Sequence, residues 1–314
     1  MMEITRREFV KDSVLASAGA ALALKTVVPA VSADSPAAKD SLAKGKIGEL
    51  EVSRLILGGS PLQHYVHCRD LRYVASLMAH YNTPERVLQT LTLAEQQGIN
   101  TVVCHPSGPA GNTVALLKQH REQHGGKMQW IIAPLDPLEP GLAKYGEQLQ
   151  KLVDEGADAV YVWGVQADAL VGQGKLDLID KAVRLGKSLG VPCGVAAHDL
   201  RVVQECEKHQ IAADFYIKTF HHHQYPGAKL NYDSMWCANP EETGAFMRGV
   251  QKPWIAFKVL AAGAIPPQDG FRYAFENGAD FVLAGMYDFE IAEDVQIVNR
   301  TLAGLPHRVR AWRG

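Results

Sequence analysis

The runs VPCGVAAHD (residues 191–199), DFYIKTFHH (residues 214–222) and PWIAFKVLAAG (residues 253–263) decide the fold of this chain. Each run is rich in Val, Ile, Phe and Ala, shows no alternation of apolar and polar residues, and is followed by a helical pattern. Such runs are typical of strands that are buried in a parallel sheet. In a closed barrel of eight strand-helix units, the residues that follow the strands meet at one end, where these barrels place their chemistry.

Eight such runs alternate with helical patterns from residue 44 onward, at residues 54–57, 101–104, 129–133, 159–163, 193–197, 215–219, 255–260 and 281–284. The first helical pattern, PERVLQTLTLAEQQG, has Thr83 as N-cap, Pro84 in its first turn and Gly98 as terminator. Strand-helix-strand repeats require right-handed crossovers and a parallel sheet, and eight units close a barrel. The sequence therefore predicts an α/β fold, a single-domain (β/α)8 TIM barrel over residues 44–314. An open doubly wound sheet is the alternative, although no GxGxxG follows the first strand.

The composition is that of an ordinary soluble globular protein. The 314 residues are 47% hydrophobic and 21% charged, with a formal net charge of -2, so no basic excess suggests a nucleic-acid partner. No run of about 18 apolar residues could span a membrane in the mature chain. The 5 cysteines form no CxxC pair, which argues against a disulfide framework or a structural zinc site. The expected partner is a small-molecule substrate.

The first residues have the features of an export signal. The segment TRREFVK at residues 5–11 matches the twin-arginine pattern, a moderately apolar run follows at residues 14–24, and small residues end it at residues 31–33. This order predicts a twin-arginine signal peptide over residues 1–33, a linker over residues 34–43, passage through the twin-arginine export machinery and a periplasmic mature protein. The alternative is an amphipathic helix that holds two arginines by chance.

Two segments are longer than strand-helix connections require. Residues 60–82 follow the first strand, contain a short helical pattern, and could form a lid over the barrel mouth. Residues 221–239 follow the sixth strand and contain His222, Asp233 and Trp236, which we expect to bind substrate. An aromatic ring such as that of Trp236 suits the face of a sugar. Alternatively, these aromatic residues only seal the barrel.

Histidines follow three of the predicted strands. His105 follows the second strand, His198 and Asp199 follow the fifth, and His221 follows the sixth. Imidazoles from different strands can form an open three-ligand site for a divalent metal ion, which is one candidate cofactor. The expected ligands are His105, His198 and His221, with Asp199 orienting the neighbouring imidazole. The alternative is that backbone hydrogen bonds hold these histidines.

Lys218 and Lys258 lie within otherwise apolar runs. A buried ammonium must lose its charge or find a carboxylate, because its desolvation is costly. Its pKa then moves downward, which suits a base or a Schiff-base nucleophile. The alternative is a buried ion pair of either lysine with Asp199, Asp233 or Asp288.

The beginning of the predicted barrel resembles the opening of the aldo/keto reductases. KIGELEVSRLILGGSP at residues 46–61 and AEQQGINTVV at residues 94–103 match phrases that begin an eightfold barrel in that family. The resemblance implies hydride transfer with NADP as cofactor. The family's catalytic tetrad does not carry over: its aspartate falls at Val103, no tyrosine lies between Tyr81 and Tyr145, the strand WIIAPL lacks the lysine, and Trp163 and Gly164 replace the histidine.

Two further resemblances concern the second half of the chain. KVLAAGAI and ENGADFVLAGMYDF resemble the last two units of phosphate-binding barrels, which implies that backbone N-H groups near Gly263 and Gly285 could contact a phosphate. Glycine also occurs at such positions because the chain must turn tightly. The phrases AHD, KTFHH, WC and AFKVLAAGA resemble those of a group of twin-arginine-exported bacterial barrel proteins, from which no activity carries over.

Together these features predict an exported barrel enzyme that acts on a small hydroxylated or keto compound, with a carbohydrate favoured, by lyase or isomerase chemistry. Lys218 and Lys258 would stabilise a developing enolate or alkoxide, while His198 and His105 would move protons or hold a metal. One alternative is an oxidoreductase that retains a nicotinamide cofactor. The other is a non-catalytic protein that binds sugar or acts as a scaffold.

Overall fold

The computed structural model describes residues 42–68, 71–228, 233–305 and 308–314. The predicted signal peptide at residues 1–33 and all but the end of the predicted linker lie outside the described residues. The strands are β1 (Lys44–Ile47), β2 (Leu50–Ser53), β3 (Leu55–Gly58), β4 (Thr101–Cys104), β5 (Ser107–Gly108), β6 (Gly111–Asn112), β7 (Gln129–Ile132), β8 (Ala159–Val162), β9 (Cys193–Ala197), β10 (Tyr216–Thr219), β11 (Trp254–Phe257) and β12 (Phe281–Gly285).

Eight of these strands are parallel and close into a barrel in the order β3, β4, β7, β8, β9, β10, β11 and β12, with β12 paired to β3. Each predicted run overlaps one of these strands, in the predicted order. The predicted single-domain TIM barrel is thereby confirmed, and closure between the first and last strands excludes the open doubly wound sheet.

Helices connect the barrel strands and surround them. They are α1 (Ser60–Gln63), α2 (Tyr73–Tyr81), α3 (Pro84–Gln96), α4 (Thr113–His124), α5 (Ala143–Asp154), α6 (Gly164–Gly172), α7 (Leu176–Ser188), α8 (Leu200–Lys208), α9 (Pro240–Gly249), α10 (Pro267–Glu276) and α11 (Asp288–Ala303). The Thr83 side chain accepts a hydrogen bond from the backbone N-H of Arg86, as an N-cap does. Among the helices described, none has the length and apolar character that a membrane span requires.

The buried apolar residues form two layers because successive side chains of a strand point to opposite sides. Phe215 and Ile217 belong to the cluster inside the barrel, whereas Tyr216 belongs to the cluster between the strands and the helices. The antiparallel hairpin of β1 and β2, which the sequence did not indicate, adds Ile47 and Val52 to the inner cluster. Side chains therefore fill the interior of the barrel.

The strand β11 ends three residues earlier than predicted. β11 stops at Phe257, so Lys258 lies after the strand, although the sequence placed it within the run at residues 255–260. The backbone turns there in the left-handed region, with φ of 55° at Lys258, 47° at Ala261 and 56° at Ala262. Residues other than glycine adopt this backbone conformation at a cost in energy, and such residues cluster at functional sites. Lys258 therefore lies in a turn that begins where β11 ends.

Candidate active site

The carboxyl ends of the barrel strands open into a cavity of about 500 Å³. This volume lies within the range of small-molecule sites. Apolar side chains, among them Val103, Ile217 and Leu283, line its floor. The side chains that can donate, accept or carry charge at its mouth include His67, His105, His198, Trp236 and Lys258.

Lys258, His67 and Asp233 form a chain of polar contacts at this mouth. Lys258 Nζ lies 2.7 Å from His67 Nε2, and His67 Nδ1 lies 3.1 Å from Asp233 Oδ1. The ammonium also lies over the ring of Trp236, 3.9 Å from its centroid. A neutral His67 that donates from Nδ1 to the carboxylate can accept a hydrogen bond from Lys258 at Nε2. The three residues come from three separate loops, which this chain of contacts joins.

Both titratable bases in this chain of contacts have lowered pKa values. Burial lowers the pKa of Lys258 to about 8, although the charge of Asp233 opposes the shift. Burial and the charge of Lys258 lower the pKa of His67, and this effect exceeds the opposing hydrogen bond and charge of Asp233. An amine with a pKa near neutral pH is a competent nucleophile or base. Lys258 therefore has the electrostatic setting that the sequence predicted for a reactive lysine.

A second imidazole in the cavity is held by a carboxylate that sequence analysis did not identify. His198 Nδ1 lies 2.8 Å from Asp168 Oδ2, and the same carboxylate accepts the backbone N-H groups of His198 and Asp199 at 3.0 to 3.2 Å. Donation from Nδ1 leaves Nε2 as the acceptor of the ring. The ring packs against Trp236 and Phe257, with centroid distances of 5.2 and 5.4 Å. The pair of Asp168 and His198 is therefore arranged as a general base.

His105 belongs to an aromatic part of the cavity wall. Its ring lies 5.8 Å from that of Tyr65 and 5.2 Å from that of Trp163, both edge to face. Burial lowers the pKa of His105 to about 4, although a backbone contact with Ala133 opposes the shift, so the ring is neutral near pH 7. The side chain of Gln63 bonds both the backbone N-H and the carbonyl of His105, at 3.1 and 2.8 Å. His105 is thus fixed as part of an apolar surface.

The prediction that Lys218 faces the mouth of the barrel was wrong. Lys218 has the same parity in β10 as Tyr216, whose side chain lies in the outer layer, and it does not line the described cavity. Its Nζ donates to Thr219 at the carbonyl oxygen and at Oγ1, at 3.0 and 2.8 Å, instead of pairing with a carboxylate. Burial lowers its pKa. Thr219 Oγ1 also lies 3.1 Å from the carbonyl oxygens of His198 and Trp236, so Lys218 supports the site from outside.

Asp199 is not the residue that orients His198. Its carboxylate caps α8 through the backbone N-H of Arg201, at 2.9 Å, and forms an ion pair with the guanidinium of the same residue. The adjacent Asp168 takes the predicted role because α6 begins directly after β8 and brings its first turns beside the end of β9.

The structure does not assemble the predicted metal ligands His105, His198 and His221. Both ring nitrogens of His221 are engaged, Nδ1 with the carbonyl of His222 and Nε2 with the backbone N-H groups of Trp236 and Cys237. The alternative of a histidine held by backbone bonds therefore applies to His221. In the part of the chain that is described, no group of three His, Cys, Asp or Glu side chains is placed to hold a metal ion.

Of the predicted substrate-binding residues, Trp236 and Gly263 line the cavity and His222 does not. His222 lines a separate surface groove with Asp269 and Tyr273, and its Nδ1 accepts the backbone N-H of Gln224. Asp233 contributes through His67, as described above. Sequence analysis placed His67 only in a possible lid and did not consider Asp168, since neither follows a strand directly.

The structure of this chain is similar to several solved structures. A proposed aldo-keto reductase from Pseudomonas aeruginosa is 16% identical, with a TM-score of 0.59 over 84% of this chain and 97% of that one. The fold is shared. An aldo-keto reductase from Bacillus halodurans is 12% identical, with a TM-score of 0.58 over 82% and 91% of the two chains. The glycerol dehydrogenase of Gluconobacter oxydans is 11% identical, with a TM-score of 0.54 over 86% and 98%.

These identities show a common architecture and no more. The aldo-keto reductase likeness suggested by the opening phrases is thus confirmed for the eight-stranded parallel barrel. No family model matches the sequence. A search of curated protein sequences also found no match.

We expect Lys258 to react with an amine-specific reagent before other lysines near pH 8. With a pKa of about 8, half of its side chain is neutral at that pH. An ordinary lysine, with a pKa of about 10.4, has a neutral fraction roughly 100-fold smaller. Trace labelling across a pH series, read by peptide mass spectrometry, measures this difference, with the exposed Lys144 as reference. Labelling of Lys258 that reaches half its maximum only above pH 10 would contradict the burial argument.

Proposed function

We propose that this chain is an enzyme that acts on the carbonyl group of a small hydroxylated or keto compound, by lyase or isomerase chemistry. The supporting observation is that one cavity contains both Lys258, in contact with His67, and the base formed by His198 and Asp168. A lysine of low pKa beside an independently oriented imidazole suits carbanion chemistry next to a carbonyl.

In the proposed first step, the neutral amine of Lys258 forms a C-N bond to the carbonyl carbon. The carbonyl oxygen leaves as water, with one proton from the amine by way of His67 Nε2 and one from solvent. The product is an iminium ion that withdraws electrons from the neighbouring carbon. Asp233 holds His67 in the tautomer that can accept this proton.

In the proposed second step, His198 Nε2 removes a proton from the carbon next to the iminium carbon. The electron pair of the broken C-H bond moves into the new C-C double bond and neutralises the iminium nitrogen. Asp168 stabilises the imidazolium that forms during this transfer. With a β,γ-unsaturated substrate the enamine is a dienamine, and return of the proton to its far carbon gives an isomerase. Expulsion of a leaving group, as its anion, from the carbon next to the deprotonated one re-forms the iminium ion and gives a lyase. Water then hydrolyses the iminium ion, which releases the carbonyl product and restores the amine of Lys258.

The proposed steps use only side chains of this chain. Among the described residues, no group of three His, Cys, Asp or Glu side chains is placed to hold a metal ion. Val103 and Trp163 stand where the reductase resemblance would require the aspartate and the histidine of the catalytic tetrad.

A second candidate function is that of an oxidoreductase with a retained nicotinamide cofactor. The barrel that this chain shares with aldo-keto reductases and a glycerol dehydrogenase supports it. Cofactor that copurifies with the protein, together with consumption of a carbonyl compound by the reduced cofactor, would favour this candidate over ours. Ligand binding without turnover would instead favour the non-catalytic alternative.

The decisive experiment is reductive trapping. We expect sodium borohydride to fix small carbonyl compounds to the protein as one stable adduct, which peptide mass spectrometry places on Lys258. In Lys258→Arg, which keeps the charge but offers no neutral amine near pH 8, the adduct and the turnover should both be lost. Lys144→Met is the matched control, because Lys144 is exposed and lies outside the cavity. Adducts on Lys218, or spread over surface lysines, would contradict the proposal.

We further propose that the mature chain works in the periplasm after export by the twin-arginine machinery. The arginine pair at residues 6–7 and the apolar run at residues 14–24 support this location.

A further inference from the structure

The wall of the cavity that faces Lys258 across the barrel is aromatic. In the circular order of strands, β7 lies opposite β11, and β4 and β8 are the neighbours of β7. His105 follows β4 and Trp163 follows β8, so their packed rings lie across the mouth from Lys258. Tyr65 completes this surface, which we call the aromatic wall.

Several polar groups at or beside the aromatic wall are engaged within the protein, and His105 Nδ1 is buried without a partner. The amide of Gln63 bonds the backbone of His105 and the hydroxyl of Thr113. The hydroxyl of Tyr65 donates to the carbonyl of Ser107. A ligand hydroxyl placed there would lose its water and find few partners, which weakens binding.

Trp236 is not available as a sugar platform in the way the sequence suggested. One face of its ring is covered by the ammonium of Lys258, 3.9 Å from the centroid. Its Nε1-H donates to the carbonyl of Asp233 at 2.7 Å. One ring face and the ring donor, two features that would recognise a sugar, are thus used within the protein.

We propose that the substrate of this site is a carbonyl compound whose body is apolar or aromatic. This inference rests on the proposed function, because it takes the carbonyl to lie at Lys258. The body of the substrate packs against the aromatic wall, and the floor formed by Val103, Ile217 and Leu283 contacts its edge. The cavity of about 500 Å³ has room for such a body beyond the carbonyl. Burial of apolar surface drives its binding.

Three probes separate the substrate body from the reacting group. They are 4-phenylbutan-2-one, the corresponding alcohol 4-phenylbutan-2-ol, and erythrulose, a polyhydroxylated ketone. We expect calorimetric titration to give both phenyl compounds dissociation constants at least about tenfold lower than that of erythrulose. Tighter binding of erythrulose would overturn the inference.

Variants of the aromatic wall test where the phenyl group binds. Trp163→Ala should remove most of the preference for the phenyl alcohol, whereas Phe289→Ala should leave it unchanged, because Phe289 is exposed and outside the cavity lining. If Trp163→Ala does not fold, Tyr65→Ser tests the same wall, because it removes a second aromatic ring. An unchanged preference in the folded variant of the wall would overturn the assignment.

The alcohol probe keeps the two proposals distinguishable, because it cannot form an imine. Tight binding of the alcohol without any trapped adduct from the ketones would retain the apolar substrate body and overturn the lysine chemistry. An adduct of erythrulose on Lys258 with weak binding of both phenyl compounds would do the reverse.

Discussion

Replacement of Asp168 with Asn is expected to lower kcat by roughly 10²- to 10⁴-fold, the range for loss of a positioned general base, with KM within a few-fold. The carboxylate of Asp168 accepts from His198 Nδ1 at 2.8 Å and also from two backbone N-H groups. An asparagine that keeps the backbone bonds through its oxygen turns its NH₂ group toward Nδ1. The imidazole must then carry its proton on Nε2, where it can no longer act as a base toward the cavity.

Steady-state kinetics with the carbonyl compound identified by trapping measure this effect. Asp199→Asn is the matched control, since its carboxylate pairs with Arg201 and caps α8 instead of contacting the imidazole. We expect the control to retain kcat within a few-fold. Equal kcat in the two variants would rule out the assigned role of Asp168.

The barrel strands could be predicted because each carries its own local signal. A run such as CGVAA in β9 is apolar throughout and is bounded by turn residues, so its type does not depend on distant partners. The hairpin of β1 and β2 has strands of only four residues, KGKI and LEVS, which mix charged and apolar residues. Its stability comes from packing under the barrel, which no local pattern reveals.

The site was predictable where a single residue stood out from its local sequence. His198 follows a strand, Lys258 is a charge next to an apolar run, and Trp236 is an aromatic residue in a long loop; the structure places all three around the cavity. Lys218 was misplaced because an apolar run shows no alternation, so the sequence could not tell which side of β10 it faces. His67 and Asp168 were missed because their partners, Lys258 and His198, are distant in sequence. Only the arrangement of the strands around the barrel brings each pair together.

Replacement of Asp280 with Ala is expected to lower the free energy of unfolding by about 3–5 kcal/mol. Asp280 immediately precedes β12 at the end of the barrel away from the cavity and is fully buried. Its Oδ2 accepts from Arg310 Nη1 at 2.5 Å and from the backbone N-H of Trp254 at 2.9 Å, while Oδ1 accepts from the backbone N-H of Arg313. Removal of the carboxylate leaves a buried guanidinium without its counter-ion and two N-H donors without acceptors.

Urea denaturation measures this loss as a lower midpoint with an unchanged slope. Asp269→Ala is the control, because Asp269 pairs with Arg272 at the surface, where both side chains are at least half exposed. This variant should change the free energy of unfolding by no more than about 0.5 kcal/mol.

Adding Arg310→Met to Asp280→Ala should restore part of the lost stability, since the uncompensated charge is then removed. Turnover per folded molecule should stay unchanged, because the pair lies at the far end of the barrel from Lys258 and His198. A loss under 1 kcal/mol in Asp280→Ala would show that the guanidinium of Arg310 is sufficiently held by its bonds to backbone carbonyls.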